Sequence, residues 1–175
     1  MVSAVVLAAG AATRFGGPKQ QLLLPRVLER LAASPVDEVV VVAGAYELEA
    51  EGARVVECPE WERGRGASLR CGLAALEADV EAAVVCLADG PNLVPESVAR
   101  VLAAWRVGAG AIVAACYAGN RGHPVAVGRR AWDAVPDEGL HPLPATLVPC
   151  DDLGPPGDVD AADDIKRLHP PLAEN

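Results

Sequence analysis

The chain has 175 residues, 51% of them hydrophobic but only 3% aromatic, and a formal net charge of −9. That length suits one domain with a full core, taken as residues 1–175, because a single core serves chains up to ~250 residues. The negative charge argues against nucleic acid or an anionic membrane as the partner, since both need a basic field.

A core of Val, Leu and Ala suits buried parallel strands flanked by helices, which makes this an α/β protein. The spacing predicts a strand from Val2 to Ala8, then a Gly-rich loop from Ala9 to Lys19. A helix is expected over Gln20 to Ala33, broken or restarted at Pro25. A valine-rich strand follows at Glu38 to Ala43, an acidic helix between Tyr46 and Glu51, and a short strand at Arg54 to Glu57. A further helix is expected from the Gly64–Ser68 approach to about Ala78, with Ser68 either its N-cap or facing the first loop.

Ala82 to Ala88 reads as another buried strand, ended by the turn sequence Asp89-Gly90-Pro91. Pro95 to Trp105 is an amphipathic helix with proline in its first turn. Ala111 to Ala115 is the next strand, and Gly119 to Val125 a turn feeding a strand through Val127. Beyond Arg130 six prolines by residue 156 blur the pattern. Asp160 would cap a last helix.

The first loop carries the strongest chemical signal. A β-branched strand runs into Ala8-Ala9-Gly10, then Arg14, Gly16-Gly17 and Lys19, which offers bare backbone N–H groups and two cations to a phosphate. It is neither a Walker A motif nor a dinucleotide fingerprint, because Phe15 and Ala12 stand where glycines are required. Asp89 directly follows a buried strand, where a carboxylate serves either a Mg²⁺ ion or an Asp-Gly-Pro turn. Asp158 and Asp160 serve either as caps or as a second metal carboxylate. Arg63 and Arg65 read as a solvated face, and His123 as a turn histidine. Five dispersed cysteines without a CxxC pair read as buried thiols of a reducing compartment. With no charged leader and no long apolar window, the expected location is cytoplasmic.

Five motifs occur in order: Leu7-Ala8-Ala9-Gly10-x-x-x-Arg14-Phe15-Gly16-x-x-Lys19; Trp61-x-x-Gly64-x-x-x-Ser68-Leu69-Arg70-x-Gly72-Leu73; Leu87-Ala88-Asp89-x-Pro91; Gly122-His123-Pro124-Val125; and Asp158-Val159-Asp160. Together they resemble the molybdenum cofactor nucleotidyltransferases, especially the cytidylyltransferase branch, over nearly the whole chain. The resemblance implies a three-layer α/β/α sandwich of the Rossmann-like GT-A kind, with a mixed, mostly parallel sheet of about seven strands.

It also implies transfer of CMP, or another NMP, from a nucleoside triphosphate (CTP favoured) to the terminal phosphate of a molybdopterin-type cofactor, releasing pyrophosphate. Arg14 and Lys19 would bind the triphosphate with Gly10, and Leu7, Ala8 and Ala9 would lie against the base. Asp89 and Asp160 would hold Mg²⁺, with Ser68 near the nucleotide and His123 near the acceptor. Arg14, Lys19 and Asp89 are thus the expected catalytic set, and a molybdoenzyme or its chaperone an expected partner.

The sequence departs from the family pattern at Gly90, where glutamine or methionine is usual, and at Cys58, where asparagine is common. It also lacks the usual Gly-x-Pro-Leu link near Leu24 to Val27, and it is short and proline-rich from Arg130 to Gly157. The alternatives are a cytidylyl or other nucleotidyl transferase acting on a sugar or polyol phosphate, as Pro18-Lys19-Gln20 suggests, and a non-catalytic carrier of a pterin cofactor.

Overall fold

In the computed structural model, which describes residues 1–11 and 19–157, the central strand sequences such as 2–7, 82–87 and 112–117 are buried on both faces and therefore read as apolar runs. The strands are β1 (Val2–Leu7), β2 (Glu38–Ala43), β3 (Arg54–Glu57), β4 (Ala82–Leu87), β5 (Ile112–Tyr117), β6 (Asn120–Gly128) and β7 (Thr146–Pro149). The described residues form a seven-stranded sheet in the order β3-β2-β1-β4-β6-β5-β7. Every pairing is parallel except those of β6, which runs antiparallel to both β4 and β5.

Side chains alternate across this sheet and give it two cores. On one face Val2, Ala4 and Val6 pack with Leu24, Val27 and Leu31 of α1 (Lys19–Ala32) and Val98, Val101 and Leu102 of α3 (Pro95–Arg106). On the other, Val5, Val40 and Val42 pack with Leu69 and Leu73 of α2 (Arg65–Ala74) and with Trp132 of a 3₁₀ segment, Arg129–Ala134. This is the expected α/β/α sandwich.

Several local expectations are corrected. Pro25 does not break α1, which runs through it. The proline is exposed, and buried Leu24, Val27 and Leu31 hold the helix across the one missing backbone bond. Tyr46 to Glu51 is not helical. There the Tyr46 hydroxyl donates to the Ala11 carbonyl at 3.0 Å, Leu48 is buried, and Gln21 Oε1 accepts from Glu49 N–H, so tertiary contacts take the place of a helical ladder.

Ser68 is not an N-cap, because α2 begins earlier and Gly64 occupies that position. The helix also stops at Ala74, short of Ala78. Cys58 and Cys71 are not free thiols; they form a disulfide with Cα atoms 5.7 Å apart. Cys58 leaves β3 just where α2 folds back over the sheet, so residues 13 apart in sequence meet without any CxxC spacing. Cys86, Cys116 and Cys150 are buried and free as expected.

Candidate active site at the sheet edge

The chain passes from β1 outward to β2 and β3, then crosses back to β4 on the other side of β1. Such a reversal opens a crevice at the carboxyl ends of the two central strands, where open α/β sheets bind ligands. Leu7 pairs with Leu87 at this edge, and the Ala88 N–H donates to the Leu7 carbonyl at 3.1 Å. The loop after β1 and Asp89 after β4 are therefore side by side.

Ala8 and Ala9 are buried and tied to the adjoining loop, with Ala8 N–H donating to Val42 O and Ala9 O accepting from Ala45 N–H, both at 3.0 Å. Gln20, the second residue of α1, donates its side-chain amide to Gly10 O at 2.7 Å. With the Tyr46 hydroxyl on Ala11 O, this fixes the start of the loop from two elements. Gln20 Oε1 is buried there without a hydrogen bond among the described residues. Arg14 and Asp160 lie outside the described residues, as does the side chain of Lys19, whose backbone opens α1.

Because β6 is antiparallel, its first residues reach the same edge. The register steps from Ala114↔Val125 to Cys116↔Arg121, so Gly122, His123 and Pro124 together oppose Ala115 alone. GHPV is thus a bulge inside a strand rather than a turn before one, and bulges re-aim side chains at sites. The His123–Pro124 peptide is cis. The Tyr117 hydroxyl donates to His123 O at 3.1 Å, and a Cβ on Gly122 would stand 2.9 Å from the Tyr117 ring, so only glycine lets the bulge close on that ring.

His123 borders a cleft of about 680 Å³, within the range of small-molecule sites. Leu7, Leu69, Val85, Leu87, Leu93 and Leu140 give it an apolar wall. Arg65, Arg121 and His141 supply basic groups, and Glu138 is the one carboxylate among its described lining residues. Burial, then Arg121 and Arg65, push the His123 imidazole down to about 4 against the opposing pull of Asp89, so it is neutral at pH 7. Burial pushes the Cys86 thiol on the cleft floor up to about 12, which makes it a poor nucleophile.

One carboxylate holds the far wall in place. Asp137 accepts from Arg70 Nη2 and from Arg63 Nη2, the latter at 3.1 Å, and its carbonyl accepts from Gly66 N–H at 2.9 Å. Arg70, then Arg63, hold the Asp137 carboxyl below its ordinary range. This fastens the start of α2 to the segment that brings Glu138, Leu140 and His141 to the cleft.

On the opposite side Pro155, Pro156 and Gly157 cross the β4 exit, with Asn92 N–H donating to Pro156 O at 2.8 Å. A Cβ on Gly90 would lie 3.2 Å from Pro156 and 3.4 Å from the Gly157 carbonyl, so glycine at this position goes with a close strap.

The structure therefore brings Leu7 to Gly10 and Asp89 to one sheet edge, with Leu7 and His123 on the cleft lining, and buries Ser68 within α2. Arg65 is not merely part of a solvated face, because it borders the cleft, whereas Arg63 is spent on Glu60 and Asp137 at the surface. Arg121 and Tyr117 escaped the sequence reading. The signal available for Arg121 was its place two residues before His123, which only the bulge makes meaningful.

The start of a Gly-bearing loop and a carboxylate side by side at a switch point, near a large mixed cleft, suit a nucleotidyltransferase-type protein. The MobA-like NTP transferase domain pattern matches residues 4–140, and the chain belongs to that family. Among solved structures, Rv0371c from Mycobacterium tuberculosis H37Rv is 29% identical, with 95% of this chain and 96% of that one covered at a TM-score of 0.78. Rv0371c in complex with manganese gives 27%, 98%, 99% and 0.75 in the same order. Molybdopterin-guanine dinucleotide biosynthesis protein A from Archaeoglobus fulgidus, 16% identical over 94% of this chain and 95% of that one, shares the fold at a TM-score of 0.66. A search of the curated proteins finds no significant match.

Proposed function

We propose that this NTP transferase moves a nucleoside monophosphate, CMP first among the candidates, from its triphosphate to a phosphorylated, ring-bearing acceptor of the molybdopterin type. The observation that carries the reading is the adjacency at one sheet edge of the loop after β1, Asp89 after β4, and a cleft with one apolar and one basic wall.

An acceptor phosphate is already an anion, so the transfer needs no protein nucleophile. What the chain must supply is alignment and neutralisation of charge. Arg14 and Lys19 would hold the leaving phosphates, with backbone around Gly10 against the triphosphate and Leu7, Ala8 and Ala9 against the base. Neutral His123 would orient the acceptor by hydrogen bonding without adding to or opposing its charge. The apolar wall would exclude water from the attacked phosphorus.

Asp89 offers hard oxygen at the sheet edge, and magnesium characteristically takes one or two carboxylates with phosphate and water completing its shell. Asp89 therefore suits a divalent ion; Asp160, which lies outside the described residues, would be the second carboxylate, and the manganese complex of Rv0371c is in keeping with this. Such an ion would supply charge neutralisation on the phosphates.

The test is to incubate the chain with Mg²⁺ or Mn²⁺, each of the common nucleoside triphosphates, and pterin, sugar and polyol phosphates, following pyrophosphate. Release with a pterin phosphate and CTP supports the reading. Release only with a sugar or polyol phosphate moves the protein to the alternative transferase class. Tight pterin binding without release makes it a carrier.

A further inference from the structure

Two arginines of the cleft have no carboxylate partner among the described residues. Arg54, Arg63, Arg70 and Arg100 each pair with a carboxylate, at Glu38, Asp137 or Asp152. Arg121 has none among the described residues: its Nη1 donates to the Leu143 carbonyl at 2.8 Å, while its Nη2 is buried with no hydrogen bond among them. Burial lowers its pKa. A buried guanidinium nitrogen left without an acceptor costs free energy in the ligand-free protein, and that cost is recovered when an anion arrives.

Arg65 stands exposed at the first position of α2, without an ion pair among the described residues, on the same cleft. Arg65, Arg121 and His123 all line this one cleft. In a chain of net charge −9, two arginines without an ion pair among the described residues line the same cleft as an apolar wall.

We propose that Arg121 and Arg65 bind the phosphate monoester of the acceptor, so that this cleft selects a dianionic phosphate carried on an apolar, ring-bearing body. The inference rests on the nucleotidyltransferase reading above and adds the residues that choose the acceptor. Arg121 supplies a half-buried guanidinium at the cleft lining, with Nη1 anchored to the Leu143 carbonyl. Arg65 closes from the rim. Guanidinium is the suitable head group, since its fork matches phosphate oxygens two at a time.

The experiment titrates phenyl phosphate, phenol and inorganic phosphate into the full chain by calorimetry. The nucleotide loop is first filled with α,β-methylene CTP and Mg²⁺. Wild type is compared with Arg121→Gln, Arg121→Lys, Arg65→Gln and the remote control Arg106→Gln.

Phenyl phosphate should bind more tightly than phenol, through the arginines, and more tightly than inorganic phosphate, through the apolar wall. Arg121→Gln and Arg65→Gln should each weaken it by roughly ten- to a hundredfold, the range of hydrogen bonds to charged groups, while Arg106→Gln leaves it unchanged. Arg121→Lys should retain part of the affinity, which separates lost charge from lost folding. In turnover, both Gln variants should raise KM for the acceptor and leave KM for the nucleotide alone.

The proposal is overturned if wild type does not bind phenyl phosphate saturably, if phenol binds equally well, or if both Gln variants keep wild-type affinity. Failure of the CTP analogue to bind would instead count against the nucleotidyltransferase reading. The arginine comparison is then repeated without the analogue and still decides the phosphate site.

Discussion

Protonation of His123 should cost this protein stability as the pH falls. The imidazole falls from an ordinary 6.5 to about 4, chiefly through burial, with Arg121 and Arg65 adding to the effect and Asp89 opposing it. The sign follows from linkage. Between these two values the unfolded chain binds a proton that the folded chain refuses, so stability is full above the unfolded value and is lost as pH falls towards the folded one. Each pKa unit corresponds to ~1.36 kcal/mol, so the displacement sets a ceiling of about 3 kcal/mol, reached only near pH 4.

Urea unfolding of wild type and His123→Gln between about pH 7.5 and about pH 4.5 isolates this contribution. Wild type should lose stability relative to the variant as pH falls. The His123 ring protons should show no titration midpoint near neutrality, and phenyl phosphate, by offsetting the two arginine charges, should move the midpoint upward. A native His123 titrating near 6.5, or parallel loss in both proteins, would refute the reasoning.

Other predictions test the remaining parts. Asp89→Ala should abolish turnover with circular dichroism unchanged, and retained activity would remove Asp89 from the metal site. Lys19→Ala should cost ~2 to 4 kcal/mol in kcat/KM if its charge stabilises the transition state, and a loss below ~0.5 kcal/mol would exclude that role. Thiol titration of the unfolded, unreduced chain should find the three free cysteines Cys86, Cys116 and Cys150, and reduction should lower stability by ~3 kcal/mol, as expected on opening a loop of this length. Five thiols before reduction would show that Cys58 and Cys71 are unpaired. Gly122→Ala should cost ~1 to 3 kcal/mol, because its methyl group meets the Tyr117 ring; a thermally unchanged variant would show that the bulge has room.

Much of the fold was legible because strands buried on both faces leave unmistakable valine runs. Glu38–Ala43 and Arg54–Glu57 have the expected bounds, and β1 and β4 each end one residue earlier than predicted. What escaped depended on contacts distant in sequence. Pro25 reads as a breaker only if the helix must stand alone, and Tyr46–Glu51 as a helix only if nothing else claims its polar groups. At the site, the placement of Leu7 to Gly10 and Asp89 follows from strand ends, which sequence locates well. The basic wall does not. Arg121 reaches the edge only because β6 runs antiparallel and bulges, and Arg65 and the 138–141 segment meet only because Asp137 fastens them. The Cys58–Cys71 pair was hidden for the same reason.

The central claim is that this chain joins a nucleotide to a phosphorylated acceptor at the edge between β1 and β4. The most direct measurement follows pyrophosphate and the nucleotidylated acceptor together, with Mg²⁺, CTP and a pterin phosphate, in wild type and Asp89→Ala. The account predicts that the two products appear in equal amounts in wild type and that neither appears in the variant. Pyrophosphate without a nucleotidylated acceptor, or equal turnover in both proteins, would contradict it.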